Sequence, residues 1–167
     1  MNLLTIPKAQ PVKKIPGYKM PEDERGLLSW DFVAEQMNQS RYYWLNTTLA
    51  DGRPHAVPVW GIWHENRVYF DGSYKTAWSI NLTRDPRIAV HLPDGNQVVM
   101  IEGIAHMIGD DEIDKATWAT LDTTYQRKYN VAQGSPYWVV FPHKVLAWDN
   151  ANLQSMTRWI FKTNADS

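Results

Sequence analysis

Residues 51–92 read DGRPHAVPVWGIWHENRVYFDGSYKTAWSINLTRDPRIAVHL, and this quarter of the chain decides how the rest is read. Asp51-Gly52 is a turn signal, because glycine accepts the positive φ that a tight turn demands. "AVPVWGIW" (56–63) and "RVYF" (67–70) are rich in β-branched and aromatic residues and flank the polar tip His64-Glu65-Asn66, the signature of strands joined by a short turn. "TAWSINLTRD" (76–85) changes character and predicts a helix of one to two turns. Pro86 stops it, since the residue before a proline is pushed out of the helical region. "RIAVHL" (87–92) then returns to strand.

On the amino-terminal side, "RYYWLNTTL" (41–49) supplies a strand that makes an antiparallel meander with 56–63 and 67–70. Before it, Trp30, Phe32, Val33 and Met37 stand in a polar setting with Ser29 as N-cap, predicting a short amphipathic helix that ends near Ser40. Residues 1–26 carry Pro7, Pro11, Pro16 and Pro21 among lysines and acids, which reads as an extended arm free to pack on a partner subunit. The folded domain is expected over 27–167.

On the carboxyl side, "VVMIEGIAHMI" (98–108) pairs with 87–92 across the turn Pro93-Asp94-Gly95-Asn96. Residues 110–129 carry Ile113, Trp118, Leu121 and Tyr125 on one stripe and acids in the first turn, where the helix dipole favours them. "YWVVFPHKVLAWD" (137–149) and "TRWIF" (157–161) complete the strands. Six to seven antiparallel strands with about three inserted helices specify a mainly β, α+β split or closed barrel. A parallel sheet would need a helix between every pair of strands.

The chain of 167 residues suits one domain with its own core. Lysine and arginine total 17 against 18 acids, so no positive field draws it to nucleic acid. There is no cysteine, hence no disulfide, thiolate metal site or cysteine nucleophile; the amino terminus lacks a signal-peptide core, and no apolar run approaches about 18 residues. A soluble cytoplasmic protein with no membrane partner is expected. His55, His64, His91, His106 and His143 fall on separate predicted strands or turns, so no metal site is expected. Gly-x-Ser-x-Gly, P-loop and Gly-x-Gly-x-x-Gly patterns are all missing. Nine tryptophans and eight tyrosines need a large buried surface or a flat ligand to lie against.

The order Asp51, Gly52, Pro54, Pro58, Val59, Asn81, Leu82, Asp85, Pro86, Arg87 resembles the pyridoxamine 5'-phosphate oxidase-like superfamily of FMN-binding split barrels, with its flavin and deazaflavin oxidoreductase branch. The resemblance spans roughly residues 41–161. It implies a homodimer that holds FMN, or a deazaflavin coenzyme of the F-420 type, for hydride transfer with a small planar substrate. It sets Val57, Pro58, Val59 and Trp60 along the isoalloxazine. Proline in a strand fits an edge where a ligand approaches the backbone. Ser73, Lys75, Thr76 and Trp78 fall on the cofactor-phosphate loop, where a capping hydroxyl, free amides and a cation favour a phosphate. Ala77 and Ile80 stand where relatives are often basic, so Lys75, Arg84 or Arg87 would have to supply the charge. Trp148 and Arg158 match the late aromatic and arginine that close over the flavin from the second subunit. The basic run that marks vitamin-B6 oxidation is replaced by "QSMTRW" (154–159), which sets that substrate in doubt.

Tyr74, Trp60, Trp63 and Trp78 are candidates to shape the flat substrate site, and Lys13, Lys14 and Lys19 to meet a deazaflavin tail. No catalytic acid or base is assigned, because the flavin itself carries the chemistry. The weak phosphate loop keeps a second class open, a non-catalytic module of the same fold that binds flavin, haem or a tetrapyrrole. A purely structural dimer is the third.

Overall fold

The computed structural model describes residues 4–109, 112–134 and 137–162. Nine strands and three helices follow one another as β1 (Gln10–Pro11), α1 (Trp30–Gln39), β2 (Tyr43–Thr48), β3 (Pro54–Val59), β4 (Gly61–His64), β5 (Arg67–Asp71), α2 (Ala77–Arg84), β6 (Arg87–His91), β7 (Gln97–Ile108), α3 (Lys115–Tyr129), β8 (Tyr137–Asp149) and β9 (Asn152–Ile160). Every strand pair is antiparallel. The main path runs β1-β9-β8-β7-β6-β2-β3, and β5 joins it at β8 with β4 beyond.

Turn chemistry sets these pairings. Gly52 takes φ +85 and donates to the Leu49 carbonyl, closing the β2–β3 hairpin. Glu65 and Asn66 both adopt positive φ, the two-residue turn whose twist matches an antiparallel hairpin, and they join β4 to β5. Asn66 also accepts a hydrogen bond from the Trp30 indole at 2.8 Å, which fastens α1 to this turn.

The split in the barrel comes from β8. Its first half pairs with β5 through Tyr137–Val140, and its second half pairs with β9 from Lys144 onward. Between them lies Pro142, which has no N–H to give the ladder. The register with β7 shifts there between Glu102 and Gly103, leaving His143 as the extra residue of a bulge.

One core fills the space between the sheet, α1 and α2, with Trp159, Tyr43, Phe70, Met37, Leu45 and Leu82 nearly or fully buried. Tyr69, Leu121, Tyr125, Tyr129, Tyr137 and Val139 form a second, under α3. The expected stripe on α3 is confirmed at Leu121 and Tyr125, and Trp118 packs against the same cluster.

Four expectations need correction. The strand count exceeds six to seven because "AVPVWGIW" breaks at Trp60: β3 stays with β2, while β4 leaves to pair with β5, so 41–70 is two hairpins rather than a meander. Tyr129 takes the Gly61 amide at 2.9 Å, and a Cβ on Gly61 would lie 2.7 Å from the Tyr69 carbonyl oxygen, so the chain turns where only glycine fits. The arm adds a further short strand and lies against its own chain, Gln10 opposite Arg158 and Pro11 opposite Thr157. The long helix starts at Lys115, with no acid in its first turn. Asp114 is its N-cap and accepts from the Ala116 and Thr117 amides, which hold its carboxyl below the ordinary range; Asp110 and Asp111 lie outside the described residues. Ser29 does precede α1 in an extended conformation, but its hydroxyl makes no capping bond.

Candidate functional site

β3 ends the sheet, so one side of its backbone is unpaired. Leu49 donates to the Arg53 carbonyl, which fixes the alternation of the β2–β3 ladder. Counting from that pair, His55, Val57 and Val59 spend their main-chain groups on β2, and Pro54, Ala56 and Pro58 turn theirs to the open side. Two of those three lack an N–H. The open edge within β3 therefore offers three carbonyls and a single donor, the Ala56 amide. Sequence reading marked Val57–Trp60 and did not single out Ala56, whose outward amide is signalled by the i, i+4 spacing of the two prolines. The side chains of Val57 and Val59 pack on the core, and Pro58 is exposed.

α2 gives the second half of the site. Thr76 caps it, donating its hydroxyl proton to the Ser73 carbonyl at 2.9 Å and accepting from the Ser79 amide at 3.3 Å. The Ile80 amide bonds the Thr76 carbonyl. Among the described residues, the amides of Ala77 and Trp78 have no acceptor, the state of a helix start able to receive an anion. Lys75 is exposed beside them, and its amide donates to the Ser73 hydroxyl at 3.2 Å. Asn81 is buried and bonds the Thr47 hydroxyl at 3.0 Å, so it anchors the helix to β2.

Arg84 and Arg87 do not come to this helix start. Arg84 lies at the far end of α2, about 12 Å along the axis, and donates to the Thr48 carbonyl. Arg87 forks onto Asp85 at 2.9 and 2.7 Å and holds that carboxyl down at about 2. Lys14 pairs with Glu22 in the arm, on the opposite edge of the sheet from β3.

The aromatic candidates divide. Trp63 and Trp78 are only 7% and 5% exposed and belong to the core; Trp78 packs edge-on against Phe70, and a Cβ on Gly72 would meet its ring at 2.6 Å. Their rings do not line the open site. Trp60 and Tyr74 are exposed. Trp148 and Arg158 are half-buried, and Arg158 sits in β9, five strand spacings from β3, a path of about 24 Å along the sheet. In strand order neither stands next to β3.

A groove of about 550 Å³ crosses β2, β6, β7 and the β8 bulge, lined by Asn46, Thr48, Arg87, Ala89, Ile104 and His143. Trp44 and His91 stack beside it, with centroids 6.2 Å apart. Among the described residues no three His, Asp or Glu side chains converge on a metal position. Among the described residues no helix is long and apolar enough to cross a membrane.

With fold and site in place, a family model for pyridoxamine 5'-phosphate oxidase matches residues 29–150, most of the chain. The chain belongs to the pyridoxamine 5'-phosphate oxidase family. Three solved structures show the same fold. A conserved hypothetical protein of Mycobacterium tuberculosis is 21% identical over 79% of this chain and 90% of its own, with TM-score 0.63. An F420 reductase is 18% identical over 66% and 93%, with TM-score 0.52. A heme binding protein of Mycobacterium smegmatis is 18% identical over 73% and 55%, with TM-score 0.55. No curated protein matches the chain in sequence. Family membership accounts for the split barrel and for the order of motifs from Asp51 to Arg87, and identities this low carry the fold alone.

Proposed function

We infer that this member of the pyridoxamine 5'-phosphate oxidase family is an oxidoreductase that holds FMN, or a deazaflavin coenzyme, between two copies of the chain. The observation that carries this reading is the pair of free amides at Ala77 and Trp78, on a helix capped by Thr76 and tied to β2, together with an open sheet edge at β3. The residues fit the group. The α2 start, with Ser73, Lys75 and Thr76, would hold the phosphate, and the Ala56 amide and the carbonyls of Pro54, Ala56 and Pro58 would meet the polar rim of the ring.

Trp148 and Arg158 would close the site from the second copy, which agrees with their distance from β3 in one chain. When bound, the flavin or deazaflavin supplies the hydride chemistry. The chain's part is to bind, to orient and to exclude water. The buried aromatics behind β3 give the ring a dry wall, and charge-assisted donors at α2 fix the tail. Vitamin-B6 oxidation is not proposed, since "QSMTRW" lacks the basic run that substrate would want.

A second reading rests on one observation: neither Arg84 nor Arg87 reaches the α2 start, which leaves Lys75 as the cation beside it among the sequence candidates in the described residues. That favours a non-catalytic module for a flat ligand such as haem. Titrating the purified protein with FMN, the deazaflavin and haem, then adding reductant and an artificial acceptor, separates the two. The oxidoreductase reading expects saturable flavin or deazaflavin binding with turnover. Haem binding alone would replace it with the second reading.

A further inference from the structure

Trp60 stands between β3 and β4 with 40% of its surface exposed. Its inner face lies on Tyr129, with ring centroids 4.7 Å apart and planes within 6°. Tyr125 stands near its edge, 6.4 Å away and tilted by 58°. The exposure therefore belongs to the outer face of the indole.

Tyr129 is itself locked. It is 5% exposed, and its hydroxyl accepts the Gly61 amide at 2.9 Å while lying 2.7 Å from the Arg41 carbonyl and 2.8 Å from the Gly61 carbonyl, either of which takes its proton. Burial pushes its pKa up to about 12, against the Gly61 hydrogen bond and the Arg41 charge, which pull the other way, so the hydroxyl stays protonated. Lys128, its neighbour on α3, donates to the Gly61 carbonyl at 2.8 Å and to the Tyr43 hydroxyl at 3.1 Å, and lies 5.3 Å from the Tyr129 centroid. The Arg41 guanidinium stands 5.6 Å from the same ring.

An exposed tryptophan normally wanders among rotamers and loses that freedom when a ligand stacks on it. Here the fold has already restrained it. A tyrosine with three backbone partners holds one face of the indole, the other face is open, and two cations stand behind.

We propose that the outer face of Trp60 is a stacking platform for a flat aromatic ring, and that Tyr129 is the positioning residue that holds it. It rests on the proposed function only in taking this ring to be the acceptor substrate. Flatness follows from the stacking geometry.

The test uses 2-naphthoate, which is flat, anionic and not a hydride acceptor, against its saturated decahydro counterpart. Calorimetric titration of the purified protein should show 2-naphthoate binding about fivefold to tenfold tighter than the saturated acid, the range of one aromatic stack. Trp60→Leu should erase that difference. Tyr129→Phe keeps the ring and loses the tether, and should retain part of it, while Tyr18→Leu, at an exposed aromatic of the amino-terminal arm, should leave it intact. Equal binding of the two acids by the wild type, or an unchanged preference in Trp60→Leu, overturns the proposal. Cofactor titration is read separately, so failure to bind flavin or deazaflavin would remove the proposed function and leave this result standing.

Discussion

Gly103 faces Pro142 at the β7–β8 bulge, and a Cβ built there would lie 2.2 Å from the Phe141 carbonyl oxygen. Backbone cannot yield as a side-chain tip does, so Gly103→Ala should cost about 2 kcal/mol or more, read from a shifted urea midpoint. Asn81 is different in kind: its side chain is buried and its amide bonds Thr47. Asn81→Leu removes that bond from a buried pair and should destabilise by about 1–3 kcal/mol in the same assay. The order Asn81-Leu82 was visible in the sequence, but its purpose, to hold α2 against β2, was not. The two hydrogen-bond partners are separated by 34 residues, and no local pattern joins them. The same limit hid Trp63 and Trp78. Both read as flat surfaces for a ligand because an aromatic residue looks alike in a core and in a cleft until its neighbours are placed.

At the scale of elements, β3, α2 and α3 each carry a distinct expectation. Ala56→Pro removes the one outward N–H within β3 and leaves the ladder to β2 untouched, as Pro54 and Pro58 already do at matching positions. Cofactor affinity should fall about fivefold, the worth of one hydrogen bond, with little change in melting temperature. Thr76→Val removes both bonds of the α2 cap and should cost about 1 kcal/mol of stability and weaken phosphate-bearing ligands more than ribityl-only analogues.

In α3, burial and then the Arg41 charge hold Lys128 at about 8, below its ordinary 10.5. Between those values the unfolded chain keeps a proton that the folded chain has released, so unfolding free energy rises with pH across that window. Below about 8 both states are protonated and the cost of burying the cation is fully present. Melting curves of wild type and Lys128→Met should accordingly draw apart in the wild type's favour as pH climbs from about 8 to about 10. Helices and strands were legible from periodicity and turn residues. The break at Trp60 was not, because the cause lies in Tyr129 on a distant helix taking the Gly61 amide out of the sheet.

Over the whole molecule, the main path of the sheet ends at β3 on one side and at the arm strand β1 on the other, and the proposed cofactor residues fall into two groups on separate strands of it. Val57–Trp60 and the α2 start belong to one group; Trp148 and Arg158 belong to the other. In the proposed function a second copy would bring its β8–β9 end to the first copy's β3 edge. Membership of the family was legible because the Asp51–Arg87 motifs keep their order, whereas the place of each candidate residue in the sheet needed the register of every strand from β3 to β9. Native mass spectrometry after incubation with FMN, and separately with the deazaflavin, tests this most directly. The account expects a species of two chains carrying two molecules of one of these cofactors; a single chain that stays bare with both would contradict it.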